Sequence, residues 1–410
     1  MGRLAAWLGA LALVSVYISP RLGAHVTATD LLLVLAALVV PFVLPRLWRI
    51  SGGLPVLLGI AFLVYAFLVT VAMYPIIGTS VVRSSLFGAR LIEAFVMFAI
   101  AVYLGYTRPR LFLSAVGLGA GIVIVYGLFQ IVTGRFSGYY GYIGLLGERG
   151  PSQAGAVIYL TFVSLLFLGY LFRRGMFTLG AVLVIFLLVG TISRTALVAL
   201  VAVSTVGLVV VWLAGSRRLA WYQHRITLLL FLGVLISGAA AIQFLPDLMD
   251  RVAHRASASD SGISIRMAKW QGQIDQLNAV SPLLWLSGAG LGSYQHLAQK
   301  ETTRLGLDSQ YMWLMMEVGV VGALLWLGWL GTIILRIYRC NPQIGHFAFL
   351  MLFGMLVMGI THEIFLVGKP SMLFFALLGG ALGLAAQMRE AGQHHELSPL
   401  RRVSGWGRSV

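Results

Sequence analysis

Runs of about twenty apolar residues recur along this chain, and no other feature limits its fold so strongly. A helix of that length spans the ~30 Å hydrocarbon layer of a bilayer while satisfying its own backbone hydrogen bonds. The runs fall near residues 4–19, 27–45, 53–75, 81–106, 110–133, 152–172, 175–191, 194–214, 225–244, 309–336, 344–361 and 369–388. They predict an all-α, polytopic integral membrane protein with about twelve spans in a single membrane domain over residues 1–410. Only 10% of the residues are charged, against roughly a quarter in soluble domains. Mean hydropathy is +0.92. The first run has no clear small-residue cleavage site after it and reads as a retained helix rather than a signal peptide. The pair 175–191 and 194–214 is the least well separated, because almost nothing polar lies between its members.

The net charge of +16 would ordinarily suggest nucleic acid, but its distribution argues against that. The basic residues, nearly all arginine, stand singly or in pairs between the apolar runs. Arg46/Arg49, Arg108/Arg110, Arg173/Arg174, Arg217/Arg218/Arg225 and Arg336/Arg339 occupy alternate loops. By the positive-inside rule these loops and both termini face the cytoplasm. Residues 389–410, with Arg389, Arg401, Arg402 and Arg408, read as a basic cytoplasmic tail. The single cysteine, Cys340, cannot form an internal disulfide and reads as an inert thiol beside Arg339.

The same topology places residues 246–308 outside, between spans nine and ten, as the one long hydrophilic stretch. Within it, Ile263, Met267, Trp270, Ile274 and Leu277 repeat at helical spacing, with Arg266, Lys269, Gln273 and Gln276 on the adjoining stripe. This predicts an amphipathic helix, capped by Asp260 or Ser261 and lying on the membrane surface or over the bundle. "SGAGLGSY", residues 287–294, has the wrong spacing and setting for a dinucleotide fingerprint and reads as a tight turn. Tyr139, Tyr140 and Tyr142 suit an aromatic belt or stacking on sugars.

Ionisable residues inside spans cost about 2.5–3.5 kcal/mol on insertion scales and so tend to serve a site or a pathway. Arg83, Arg90, Arg149, Arg194, Arg266 and Lys269 all collect on the outer half. Read singly, Arg83 and Lys269 suit interfacial anchors. Arg194 does so less, because it starts a span on the side where positive charge is disfavoured. Converging on one cavity, such groups suit a diphosphate, since the guanidinium fork binds phosphate oxygens in pairs and stays charged. No paired-Asp motif with metal spacing and no His/Cys ligand set is present in the sequence. Asp308, Glu317, His362 and Glu363 remain as acid–base candidates; Glu317 also suits a contact with a neighbouring helix.

"LDSQYMWLMMEVGVVG", residues 307–322, resembles the signature of the O-antigen ligase and polymerase superfamily. That signature runs His, then Asn, Ser or Gln, nine residues, Gly, two residues, and a small residue or Tyr. Ser309, Gly319 and Gly322 match it. "GTISRTA", "SIRMAKWQ" and "LLWLSGAGLGSY" resemble further blocks of the family, in the family's order, and the likeness covers roughly residues 135–385. The resemblance implies an enzyme of the bacterial inner membrane, working at the periplasmic face without metal or nucleotide cofactor. Its donor would be a glycan on undecaprenyl diphosphate. Its acceptor would be the lipid A-core oligosaccharide in a ligase, or a second lipid-linked repeat in a polymerase. Arg194 and Arg266 match the family's two donor-holding arginines. The signature His is Asp308 here, and a histidine, His362, stands near a later span end where ligases carry an acidic residue.

These readings converge on a metal-independent, inverting glycosyltransferase of lipopolysaccharide maturation, with polymerase as the close alternative. Asp308 or His362 would serve as the base, supported by Ser309, Gln310 and Glu363. Arg194, Arg266, Arg149, Arg83, Arg90 and Lys269 would hold the diphosphate. A lipid-linked glycan transporter is the rival of another class; it should carry broken helices and carboxylate relays in both halves, whereas the polar residues here concentrate in the second half.

Overall fold

The computed structural model describes residues 2–18, 27–135, 143–144, 150–191, 193–213, 227–228, 231, 235, 259–293, 309–362, 364–365 and 368–393. They build an all-α protein. Helices α1 (Gly2–Ile18), α2 (Ala28–Ser51), α3 (Leu54–Ile77), α4 (Val81–Thr107) and α5 (Pro109–Thr133) are followed by α6 (Pro151–Phe172), α7 (Gly175–Gly190) and α8 (Arg194–Leu213). Then come α9 (Ser259–Val280), α10 (Leu284–Ser287), α11 (Gln310–Glu317), α12 (Gly319–Cys340), α13 (Pro342–Gly359) and α14 (Gly368–Gln393). Among the described residues, eight helices are long and apolar enough to cross a membrane, and three shorter apolar ones accompany them. The chain is a multi-pass membrane protein. Most of the expected span at 225–244, and residues 246–258 and 294–308 of the long loop, lie outside the described residues.

The pair α7 and α8, hard to separate by composition, forms two distinct helices. One expectation needs correction. The segment 309–336 is not one helix: Gly319, at φ +65°, breaks it into α11 and α12. Helix α14 runs on through Gln393 into the expected tail; residues 394–410 lie outside the described set.

The most extensive helix pair is α4 with α14. Gly379 and Gly383 lie against the carbonyl oxygens of Phe98 and Val102, and Gly105 lies against that of Gly380. Small residues let the two backbones touch, which is how helices gain packing energy where solvent supplies no hydrophobic drive. Helix α1 packs on α4 and α5, α12 on α3, and α8 on α13.

The arginine-bearing ends collect at one end of the bundle. Arg46 donates to the Tyr103 hydroxyl at 3.2 Å, Tyr106 donates to Glu390 at 2.6 Å, and the Arg336 guanidinium lies against Gly52. At the opposite end α2, α4, α6, α8, α11 and α14 begin and α13 finishes, and there the remaining polar residues gather.

Candidate active site

Three local structures shape that opposite end. The first is the start of α11. Ser309 caps it, its hydroxyl accepting the Met312 N–H at 3.5 Å, which satisfies one of the donors a helix start leaves open. Gln310 is 1% exposed. Its side-chain oxygen accepts the Phe365 N–H at 3.2 Å, and Tyr311 donates to the Leu356 carbonyl at 2.8 Å. Residues 309–311 are thus latched to the end of α13 and the corner that follows it. That corner carries His362.

The second is the meeting of α6, α8 and α13. The Ser152 hydroxyl, in the first turn of α6, lies 2.8 Å from Nε2 of His362. One turn on, Gly155 packs on Ser193; a Cβ there would stand 2.7 Å from the Ser193 Cβ. Ser193 accepts the Ala196 N–H at 3.4 Å and so caps α8, whose first residue is Arg194. The helix start that bears Arg194 therefore adjoins the turn that holds His362. Lys369, in the first turn of α14, adds a half-buried ammonium to this end.

The third is a glycine strap. Gly288, Gly290 and Gly292 take φ of +84°, +90° and +76°, which L side chains rarely adopt. The strap threads between α3, α4 and the α11/α12 break. Tyr65 donates to the Ser287 carbonyl at 3.0 Å, Ser84 to that of Leu291 at 2.7 Å, and the Leu291 N–H to Thr70 at 2.9 Å. The N–H groups of Ala289 and Gly290 donate to the carbonyls of Met316 and Glu317 at 2.8 and 2.9 Å. These bonds satisfy the carbonyls at the broken end of α11, as a buried helix end requires. The sequence predicted a turn here; the structure shows a buried tie between α9/α10 and α11.

The arginines divide. Arg90 donates to Asp30 at 2.9 Å and to Glu93 at 2.6 Å, and Asp30 also closes the capping box of α2 with Thr27. Arg90 is thus committed to two carboxylates and links α2 to α4, apart from any free cation cluster. Arg83 is half-buried, with its Cγ against Gly292 of the strap. Arg266 and Lys269 both lie on α9. That helix forms as the spacing predicts, but it starts at Ser259, so Asp260 and Ser261 lie within it rather than capping it. Its buried positions include Gln273 and Leu277, while Met267 is exposed. The polar stripe therefore turns partly inward. Asp308, Arg149 and Glu363, and the side chains of Arg194, Arg266 and Lys269, lie outside the described residues. Tyr139, Tyr140 and Tyr142 do too.

Sequence reasoning missed Ser152. Its partner is 210 positions away in the chain, and no local pattern marks it.

No curated protein matches the chain. Residues 179–327 match a family model described as O-Antigen ligase. The match runs from α7 into α12 and takes in Arg194, Arg266, the strap and the start of α11; Ser152 and His362 lie outside it. Over residues 179–327 the chain is similar to the O-antigen ligase family.

Proposed function

We propose that the protein is an inner-membrane glycosyltransferase that moves a polysaccharide from undecaprenyl diphosphate to the lipid A-core oligosaccharide at the periplasmic face. The observation that carries this reading is the Gln310–Phe365 hydrogen bond. It fastens the start of α11, which Asp308 directly precedes in sequence, to the corner that carries His362. The start of α8, with Arg194, adjoins the same corner through Gly155 and Ser193.

In the reaction an acceptor hydroxyl attacks the anomeric carbon and the diphosphate leaves with the bonding pair, inverting the configuration. Two things are needed: a base for the hydroxyl proton, and positive charge for the leaving group. His362 or Asp308 supplies the first. Arg194 and Arg266 supply the second, as forks that match phosphate oxygens, with Arg83, Arg149 and Lys269 as further cations. Ser309 and Gln310, both buried, act by holding α11 in place rather than by touching substrate. Glu363 adjoins His362 in sequence and is placed as a supporting residue.

The test is transfer by purified protein from an undecaprenyl-diphosphate-linked glycan. Lipid A-core and a second lipid-linked repeat are offered as separate acceptors. Product on lipid A-core alone is expected. Product only on the second repeat makes the enzyme a polymerase, and no product with either acceptor overturns the glycosyltransferase reading.

A further inference from the structure

The His362–Ser152 contact assigns a role to a residue that neither the signature blocks nor the matched domain includes. Ser152 stands in the first turn of α6, where Gly150 leaves the helix without a side-chain cap. A serine there would ordinarily bond its own helix start. Instead its hydroxyl meets the imidazole Nε2 at 2.8 Å, within the reach of a proton transfer. No other hydrogen bond of this hydroxyl is present among the described residues. If Nε2 carried the proton and donated to the serine oxygen, the hydroxyl proton would be left without an acceptor there. A hydroxyl donating to Nε2, which requires the tautomer with the ring proton on Nδ1, satisfies both atoms of this contact.

That tautomer places the basic lone pair behind the serine rather than open to substrate. We propose that Ser152 is a proton-relay residue: the acceptor hydroxyl gives its proton to Ser152 Oγ as Ser152 gives its own to His362 Nε2. The inference rests on the glycosyltransferase reading above and deepens it, choosing His362 over Asp308 as the final proton acceptor. The step balances. The acceptor oxygen bonds the anomeric carbon, and the carbon–oxygen bond to the diphosphate breaks with its pair going to the diphosphate. The acceptor proton stays on the serine oxygen, and the former serine proton converts His362 to imidazolium. Loss of that proton to water restores the resting pair. No covalent glycosyl–serine forms, so the configuration inverts.

The test compares wild type, Ser152→Ala and Ser152→Thr, with undecaprenyl-diphosphate-linked glycan as donor and lipid A-core, or the repeat acceptor if that is the one used. Ser152→Ala should lose roughly 10- to 100-fold in kcat while donor KM changes by less than about twofold, the pattern of an interaction made only in the transition state. Ser152→Thr, which keeps a hydroxyl, should recover most of the rate. If Ser152→Ala does not accumulate, Ser152→Gly is read in the same way. A wild-type kcat in the Ala or Gly variant overturns the relay, and so does an equal loss in the Ala and Thr variants at normal protein level. Both outcomes leave the transfer reading intact as long as wild type is active. A wild-type enzyme that transfers nothing counts against that reading instead.

Discussion

The α4–α14 seam and the strap at residues 287–293 are both rich in glycine, and they use it for different physical reasons. At the seam, Gly105, Gly379 and Gly383 all lie within helices. What they provide is the missing Cβ, so that one backbone rests on the carbonyls of another. In the strap, Gly288, Gly290 and Gly292 have positive φ, so they provide a backbone path that other residues rarely follow. The seam is held by dispersion between apolar surfaces. The strap is held by backbone and hydroxyl hydrogen bonds to α3, α4 and α11. The comparison teaches that the bundle is fixed by one device and the site end by another, so stability and activity should respond to different glycines.

The largest effect should follow from Gly383→Ala. A methyl there overlaps the Val102 carbonyl oxygen, a backbone atom that cannot rotate away. Overpacking of this kind costs about 1–3 kcal/mol, or more where backbone must shift. Folded yield in detergent, read by size-exclusion profile and thermal unfolding, should fall sharply. A variant as stable as wild type would mean that the seam is looser than its geometry.

A smaller effect on folding, but a clear one on transfer, is expected from Gly288→Ala. Gly288, at φ +84° and ψ 165°, sits in a region nearly closed to other residues, with strain of about 1–3 kcal/mol. Its new methyl would also press on the Glu317 carbonyl at the end of α11. The bundle should assemble while the tie between α10 and α11 loosens, so transfer should fall further than the unfolding temperature does. Equal falls in both would erase the distinction between the two regions.

Much of the fold was legible because the period of apolar runs in a membrane chain is dictated by bilayer thickness. The bounds of α2 to α7 follow the sequence reading within a few residues, apart from the end of α2 at Ser51. The break at Gly319 was not legible, since a glycine inside an apolar run is common in membrane helices. What stops the helix is a partner 27 residues earlier, the strap, whose Ala289 and Gly290 N–H groups take the Met316 and Glu317 carbonyls. Arg90 reads in sequence as one of the diphosphate-holding cations; its partner Asp30 comes from α2 and leaves no local trace. Gln310, read as a support for the base, is buried and accepts the Phe365 N–H, a partner that no local pattern shows. Long-range pairs of this kind, Ser152 with His362 above all, leave no periodic trace in a single sequence.

Glycan transfer is proposed to take place at the end of the bundle where α11 begins and His362 lies. The most direct measurement is the transfer rate of His362→Ala and of Asp308→Ala, each purified at normal level and compared with wild type on the same donor and acceptor. His362→Ala should lose on the order of 10²-fold or more, as removal of a general base does, and Asp308→Ala should fall less if it only orients substrate. Transfer at the wild-type rate in both variants would contradict it.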